Sequence, residues 1–349
     1  MNKKIYLVTG AAGLLGSNIT KQQLEKGEKV RAFVLKGDPA AKHIPKGVEI
    51  VYGDVTDMES LKVFFNVEEG KDIIVIHSAS IVTVADGYSE KVYQVNVNGT
   101  RNILNMCVKN KVKKLVYISS TSAIPELPQG RTISEVSSFS PDKVIGFYGK
   151  TKAEATQSVL DAVKKYDLDA SIVFPSGICG PNDFANGPVS SFIIEYVSGK
   201  MPAGIEGYFN SVDVRDLAEG CIACTEKGRK GEGYIMANQL VTIREMFNLL
   251  SGITGCKNVK TIIPIKAAKL LGKVGDFMAK AKGKPGKLTS FAVYNLARNN
   301  DFSYEKAEKE LGYKVRPFKE TIKDELLWMK SEGLLSWGGG AQGYAKQPV

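Results

Sequence analysis

The chain has 349 residues, enough for two domains or one large α/β unit, and its 43% hydrophobic and 24% charged content is that of an ordinary globular protein. A formal charge of +10 suits an anionic cofactor or substrate, and would also suit nucleic acid or a membrane surface. The lysines are dispersed, though, and no basic run is interleaved with aromatics as single-strand binders require, so a generally basic surface and no nucleic-acid partner are expected. No apolar run reaches the roughly 18 residues of a membrane span. Residues 5–8, Ile-Tyr-Leu-Val, are too few for a signal peptide and no cleavage site follows them, so a cytoplasmic protein without membrane insertion is expected.

Residues 5–8 read instead as a first buried strand. It leads into Thr9-Gly10-Ala11-Ala12-Gly13-Leu14-Leu15-Gly16-Ser17, followed by a helical pattern through Leu24. In a strand–GxxGxxG–helix unit, Gly10 permits the tight turn, Gly13 lets a pyrophosphate approach the helix N-terminus, and Gly16 allows close packing. A second strand over residues 29–35 ends Leu35-Lys36-Gly37, without the acid that usually binds the ribose hydroxyls of NAD. Lys36, with Arg31 earlier, favours the 2′-phosphate of NADP; NAD stays possible. A third strand, 48–52, ends at Gly53-Asp54-Val55-Thr56-Asp57. Asp54 suits either an adenine amino group or a turn. A fourth, 72–76, ends at His77-Ser78-Ala79-Ser80, small residues over which a cofactor can pass, with His77 read as packed. A fifth, 114–118, ends at Ser119-Ser120-Thr121-Ser122.

The next helix carries Tyr148 and Lys152, four residues apart and so on one face. A nearby ammonium lowers a phenol's pKa, making the pair a candidate acid/base for a carbonyl or an alcohol. Strand and helix alternate throughout, each strand a nearly continuous apolar run, which argues for an α/β doubly wound parallel sheet with its ligands beyond the carboxyl ends of the strands. Cys107, Cys179, Cys221, Cys224 and Cys256 read as free thiols. Cys221 and Cys224 fall in a helical stretch without a second metal-binding pair, so no metal is expected. His43 and His77 are too few for a histidine-based triad.

These pieces together resemble the extended short-chain dehydrogenase/reductase superfamily. The resemblance runs from Thr9-Gly10-x-x-Gly13-x-x-Gly16 through Asn96-Val97-Asn98-Gly99-Thr100, Tyr148-x-x-x-Lys152 and Pro175-Ser176-Gly177-Ile178-Cys179-Gly180-Pro181 to Lys306-Ala307-x-x-x-Leu311-Gly312-Tyr313. It implies a Rossmann-type sheet over residues 1–175, a smaller C-terminal substrate-binding domain over 176–335 with segments such as 208–225 returning to the first, and a flexible tail over 336–349. It implies Tyr148 as acid/base, Lys152 on the nicotinamide ribose, and Ser120 hydrogen-bonded to the substrate oxygen, with Thr121 and Ser122 as further substrate contacts. Cofactor contacts are implied at Gly10, Ala12, Gly13, Leu14 and Leu15, at Arg31, Lys36, Asp54 and Val55, and at Ser78, Ala79, Ser80 and Asn96. Tyr148, Lys152, Pro175, Ser176, Gly177 and Ile178 complete that set. A homodimer is implied by the resemblance alone.

Within the superfamily the chain resembles dihydroflavonol reductases, cinnamoyl-CoA reductases and 3β-hydroxysteroid dehydrogenases. The expected activity is reduction of a small-molecule ketone or aldehyde, or the reverse. Nucleotide-sugar epimerases and dehydratases are the alternative, and a non-catalytic cofactor-binding module ranks last because Tyr148 and Lys152 are both kept. Sugar-nucleotide members carry Tyr-Phe-Asn where this chain reads Phe174-Pro175-Ser176, and a diphosphate-binding arginine where it reads Phe209. Residues 262–278 read as a lysine-rich amphipathic helix, lying on a membrane or, preferred, covering the substrate pocket.

Overall fold

The computed structural model describes residues 3–83, 87–282 and 289–337, with the backbone alone over 278–282. Most of the expected tail lies outside them, as does part of the loop after the fourth strand.

The first half alternates β1 (Lys4–Thr9), α1 (Leu14–Glu25), β2 (Lys29–Val34), β3 (Glu49–Tyr52), α2 (Met58–Phe64), β4 (Asp72–His77), α3 (Glu90–Tyr93), α4 (Thr100–Lys109), β5 (Lys114–Ile118), α5 (Phe147–Tyr166) and β6 (Ala170–Pro175). The second half is shorter-stranded: β7 (Gly177–Cys179), α6 (Pro188–Val197), β8 (Gly204–Ile205), β9 (Tyr208–Asp213), α7 (Val214–Lys227), β10 (Gly233–Met236), β11 (Gln239–Thr242) and α8 (Ile243–Thr254). It closes with β12 (Ile262–Ile263), α9 (Ile265–Lys282), α10 (Ser290–Ala297), α11 (Glu305–Leu311) and α12 (Phe318–Ser331).

Seven strands form one parallel sheet in the order β10-β6-β5-β4-β1-β2-β3. The central strands are apolar on both faces because helices cover both. Phe64, Ile103, Cys107 and Val159 pack one side of the sheet and Ile19, Leu217, Cys221 and Leu311 the other. The chain order reverses at the β1/β4 boundary, where sheets of this kind bind ligands.

Residues beyond 175 return to this sheet twice. Helix α7 packs on α1, and β10 adds the seventh strand. The rest builds a small sheet, β11-β9-β7, and a two-stranded β12-β8 pair, with a third core around Tyr196, Phe247, Ile322 and Met329. Glu325 of α12 ties this region to the chain leaving β6. It is fully buried and accepts hydrogen bonds from Gly180 N at 2.9 Å and Ser190 Oγ at 3.0 Å. Burial pushes its carboxyl up to about 8, against the pull of those two donors.

Candidate active site

The turn after β1 is almost bare backbone. Gly10 has φ +65°, and a Cβ there would stand 2.7 Å from the Ala79 nitrogen, so only glycine lets β1 turn against the end of β4. Gly16 is tighter still: its Cβ would meet the Gly10 carbonyl oxygen at 2.2 Å. That glycine packs α1 onto the turn itself, where close approach to the sheet was expected. Gly13 begins α1 with no side chain capping the helix. The first-turn N–H groups and the helix dipole are therefore left to an external acceptor, which suits a phosphate.

Side-chain hydrogen bonds fix the strand ends around this turn. Ser78 Oγ donates to Thr9 O at 2.7 Å, and Ala79 N donates to Thr9 Oγ1 at 3.2 Å. His77 is buried between Thr9 Oγ1 at 2.7 Å and Thr100 Oγ1 at 3.1 Å. Burial, then the Lys152 charge, hold its imidazole neutral, down to about 3. It is packed, as expected.

Helix α5 starts at Gly146, φ +85°, where a Cβ would strike the Phe291 ring at 2.2 Å. It lies against the turn 121–123, and a Cβ on Gly149 would meet Ser122 O at 2.7 Å. Ser120 caps that turn by accepting from Ser122 N at 3.1 Å. One helical turn separates Tyr148 from Lys152. Burial pushes the Tyr148 phenol up to about 12, against hydrogen bonds from Ser120 and Ser80 that pull it down. Lys152, 2% exposed, donates to Ile118 O at 2.7 Å and lies 5.0 Å over the Tyr117 ring. Burial pushes its amine down to about 7. Lys152 does not supply the expected lowering of the phenol here: burial raises it, and the groups that oppose are the Ser120 and Ser80 hydroxyls. Both groups are held toward their neutral forms, because the dry surroundings disfavour either charge.

Asn96 is the hub of the site. It sits in a π-helical segment, Gln94–Gly99, of the wide-turned kind that recurs at functional sites. Its Oδ1 accepts from Ser80 Oγ at 3.1 Å and Ile81 N at 2.8 Å, and its Nδ2 donates to Ile81 O at 3.0 Å and Thr151 Oγ1 at 3.2 Å. It therefore locks the loop after β4 to α5. The link to Thr151 spans 55 residues of chain and had no local sequence signal.

The other expected residues fall at different places. Ala12 and Leu15 are buried and Leu14 half-buried around the glycine turn. Val55 is buried against Gly99. Asp54 takes its turn role: its Oδ1 accepts from Thr56 N at 2.8 Å and Thr56 Oγ1 at 2.7 Å. Lys36 is exposed just past β2, and Asp38 beside it caps the following turn through Ala40 N. Arg31 does not belong with the cofactor set. Its guanidinium donates to Phe64 O and Asn66 O at 2.8 and 2.9 Å, at the far end of α2, and pairs with Glu49 at 2.9 Å. It lies three residues before the end of β2 and braces the opposite edge of the sheet. Thr121 is buried and Ser122 half-buried beside Ser120. Pro175 and Ser176 are buried at the end of β6, with Gly177 and Ile178 half-buried after them. The buried Ser176 Oγ has no hydrogen-bond partner.

A cavity of about 620 Å³ opens beyond α10. Ile205, Ile243, Ile262, Ile265 and Leu296 give it apolar walls, and Glu206, Arg244 and Lys269 stand among them. Helix α10 touches both places: Phe291 covers Gly146, and Leu296 and Ala297 line the cavity.

A parallel sheet with a glycine turn at its switch point and a tyrosine–lysine pair on the next edge defines a nucleotide-binding α/β enzyme. The NAD dependent epimerase/dehydratase family matches residues 6–237, and the chain belongs to that family. It is similar to sterol demethylase protein B of Methylococcus capsulatus, 30% identical over 94% of this chain and 99% of that one. It is also similar to a putative dihydroflavonol 4-reductase of Synechocystis, 27% identical over 94% of this chain and 95% of that one. The crystal structure of gox2253 superposes with a TM-score of 0.83 at 30% identity, over 96% of this chain and all of that one. The protein is an NAD-dependent-type oxidoreductase of this family. The residues present fit such a cofactor: an uncapped helix N-terminus, a turn that no Cβ can enter, and the orphaned Ser176 hydroxyl.

Proposed function

We propose that the protein is an NADP-preferring carbonyl reductase that converts a small-molecule ketone or aldehyde to its alcohol. The observation that carries this reading is geometric: Tyr148 and Lys152 stand one turn apart on α5, which packs on the Ser120–Ser122 turn at the carboxyl edge of the sheet. A phenol is protonated at neutral pH, and a protonated acid is what the reductive direction needs. A bound nicotinamide cofactor supplies the hydride. Tyr148 gives its proton to the substrate oxygen while Ser120 Oγ hydrogen-bonds the same atom, so charge developing there is met by fixed donors. Lys152, one turn along the helix, would hold the ribose, and in its protonated form it would offset the negative charge left on Tyr148 once the proton is given.

Two observations support NADP and a carbonyl substrate. Lys36 is exposed beyond β2, and its neighbour Asp38 is occupied as a cap. Phe209 packs on Phe318 where sugar-nucleotide members carry an arginine, and Arg215 and Arg316 are committed to Asp213, Asp324 and Asp216. A sugar diphosphate needs unpaired cations, which disfavours the epimerase alternative.

Fluorescence titration with NADPH and with NADH tests the cofactor, followed by a panel of ketones and aldehydes. Tighter NADPH binding is expected, with Lys36→Glu costing about tenfold in NADPH affinity and sparing NADH. Equal or tighter NADH binding by the unaltered protein would remove the 2′-phosphate argument and reopen epimerisation.

A further inference from the structure

Helix α9 packs with the wrong side in. Its contact with α10 is made by small residues: Ala268 is fully buried, and a Cβ on Gly272 would stand 3.0 Å from the Ser290 backbone. Its large apolar residues face out. Leu270 is 66% exposed, Leu271 44%, Val274 49% and Phe277 75%. At roughly 100° per residue these four cover an arc of about 120° on the side opposite Ala268 and Gly272. Only at its first turn does this helix line a cavity, through Ile265 and Lys269. A soluble helix normally buries such a stripe, and a contiguous exposed one marks a surface that something covers.

The charges around the stripe identify what that is. Exposed Lys266, Lys269 and Lys273 run along one of its edges. Residues 257–287 contain nine lysines and one acid, Asp276. That acid is turned inward, accepting from Ser290 N at 3.2 Å. An apolar stripe of leucine, valine and phenylalanine bordered by lysines is complementary to acyl chains beneath anionic headgroups. The apolar stripe gives nucleic acid nothing to bind, and the lysine edge would repel a second copy of the same face.

We propose that α9 is an interfacial anchor. It lies on an anionic membrane surface with Leu270, Leu271, Val274 and Phe277 dipped among the lipids and Lys266, Lys269 and Lys273 on the headgroups. No described helix is long and apolar enough to cross a membrane, so the attachment is peripheral. It places the cavity mouth beside the bilayer, and it is independent of the reaction catalysed.

The test is co-sedimentation of the full chain with vesicles of phosphatidylcholine alone and of phosphatidylcholine mixed with phosphatidylglycerol. Two variants accompany it: Leu270→Ser/Leu271→Ser/Val274→Ser/Phe277→Ser, and Lys266→Glu/Lys273→Glu. All the altered residues are exposed, so melting temperature and cofactor affinity should stay unchanged. Expected is binding to the phosphatidylglycerol vesicles, weakened by 0.5 M salt and reduced at least about tenfold in each variant. No vesicle binding by the unaltered chain would overturn the proposal, as would binding that both variants retain. Loss of a dimer in light scattering on the serine variant, without vesicle binding, would overturn it in favour of a second copy on this face.

Discussion

Helices α5 and α9 differ in what they hide. On α5, Thr151, Lys152 and Thr156 are at most 2% exposed, and a primary amine lies in the interior with a backbone carbonyl and an aromatic ring for company. On α9 the interior side is Ala268 and Gly272, while leucines and a phenylalanine meet water. Each departs from the ordinary division of apolar inside and polar outside, in opposite directions, and each departure costs stability. Departures of this kind concentrate where a sequence answers to something other than its own fold. For α5 that is a reacting oxygen and a cofactor beyond the strand ends; for α9 it is a surface outside the chain.

Substituting Lys152 should produce the largest effect and separate the two roles on α5. Lys152→Met is expected to lower turnover by on the order of a hundredfold or more while the protein still folds. The burial-depressed amine also makes a pH prediction. Folded Lys152 loses its proton near 7 and the unfolded chain near 10.5, so between those values the unfolded state holds more protons and stability rises with pH. Chemical denaturation from pH 7 to 9.5 should show the unaltered protein gaining a few kcal/mol relative to Lys152→Met. A flat difference would mean the amine stays charged in the fold.

Next in size is Gly149→Ala. The new Cβ falls 2.7 Å from a backbone oxygen, so α5 must move off the Ser120 turn, at about 1–3 kcal/mol and with reduced activity. Gly272→Ala on α9 is the matched smaller change. Its Cβ would sit 3.0 Å from Ser290, and the gain of roughly 1 kcal/mol from replacing a helical glycine offsets the crowding. Near-neutral stability and unchanged activity are expected. A larger loss from Gly272→Ala than from Gly149→Ala, in denaturant melts, would reverse the ranking of the two helices.

How far the sequence reached follows from the range of each interaction. Strands buried on both faces are continuous apolar runs, so residues 114–118 coincide with β5, β1 exceeds the expected 5–8 by one residue at each end, and β2, β3 and β4 each differ from expectation by one residue at one end. The spacing of Tyr148 and Lys152 is a local helical property and was readable. The tie from Asn96 to Ser80 and Thr151 was not, because it joins segments that only the fold brings together. The contacts of Arg31 are hidden for the same reason: Phe64 and Asn66 lie 33 and 35 residues along the chain, at the end of α2. The period of α9 was visible, but a period gives the width of an apolar face and not which way it points. The direction of the Tyr148 shift was likewise invisible, since it depends on how deeply the phenol is enclosed.

The most direct measurement is carbonyl reduction by NADPH with Tyr148→Phe, read beside NADPH titration of the same variant. Removing one hydroxyl leaves the glycine turn, Ser176 and Lys152 in place. The expected result is a loss of roughly 10²–10⁴ in turnover, with cofactor affinity within about twofold of the unaltered protein. Retained turnover would contradict the assignment of Tyr148 as the proton donor, and with it the reading of this site as a reductase centre.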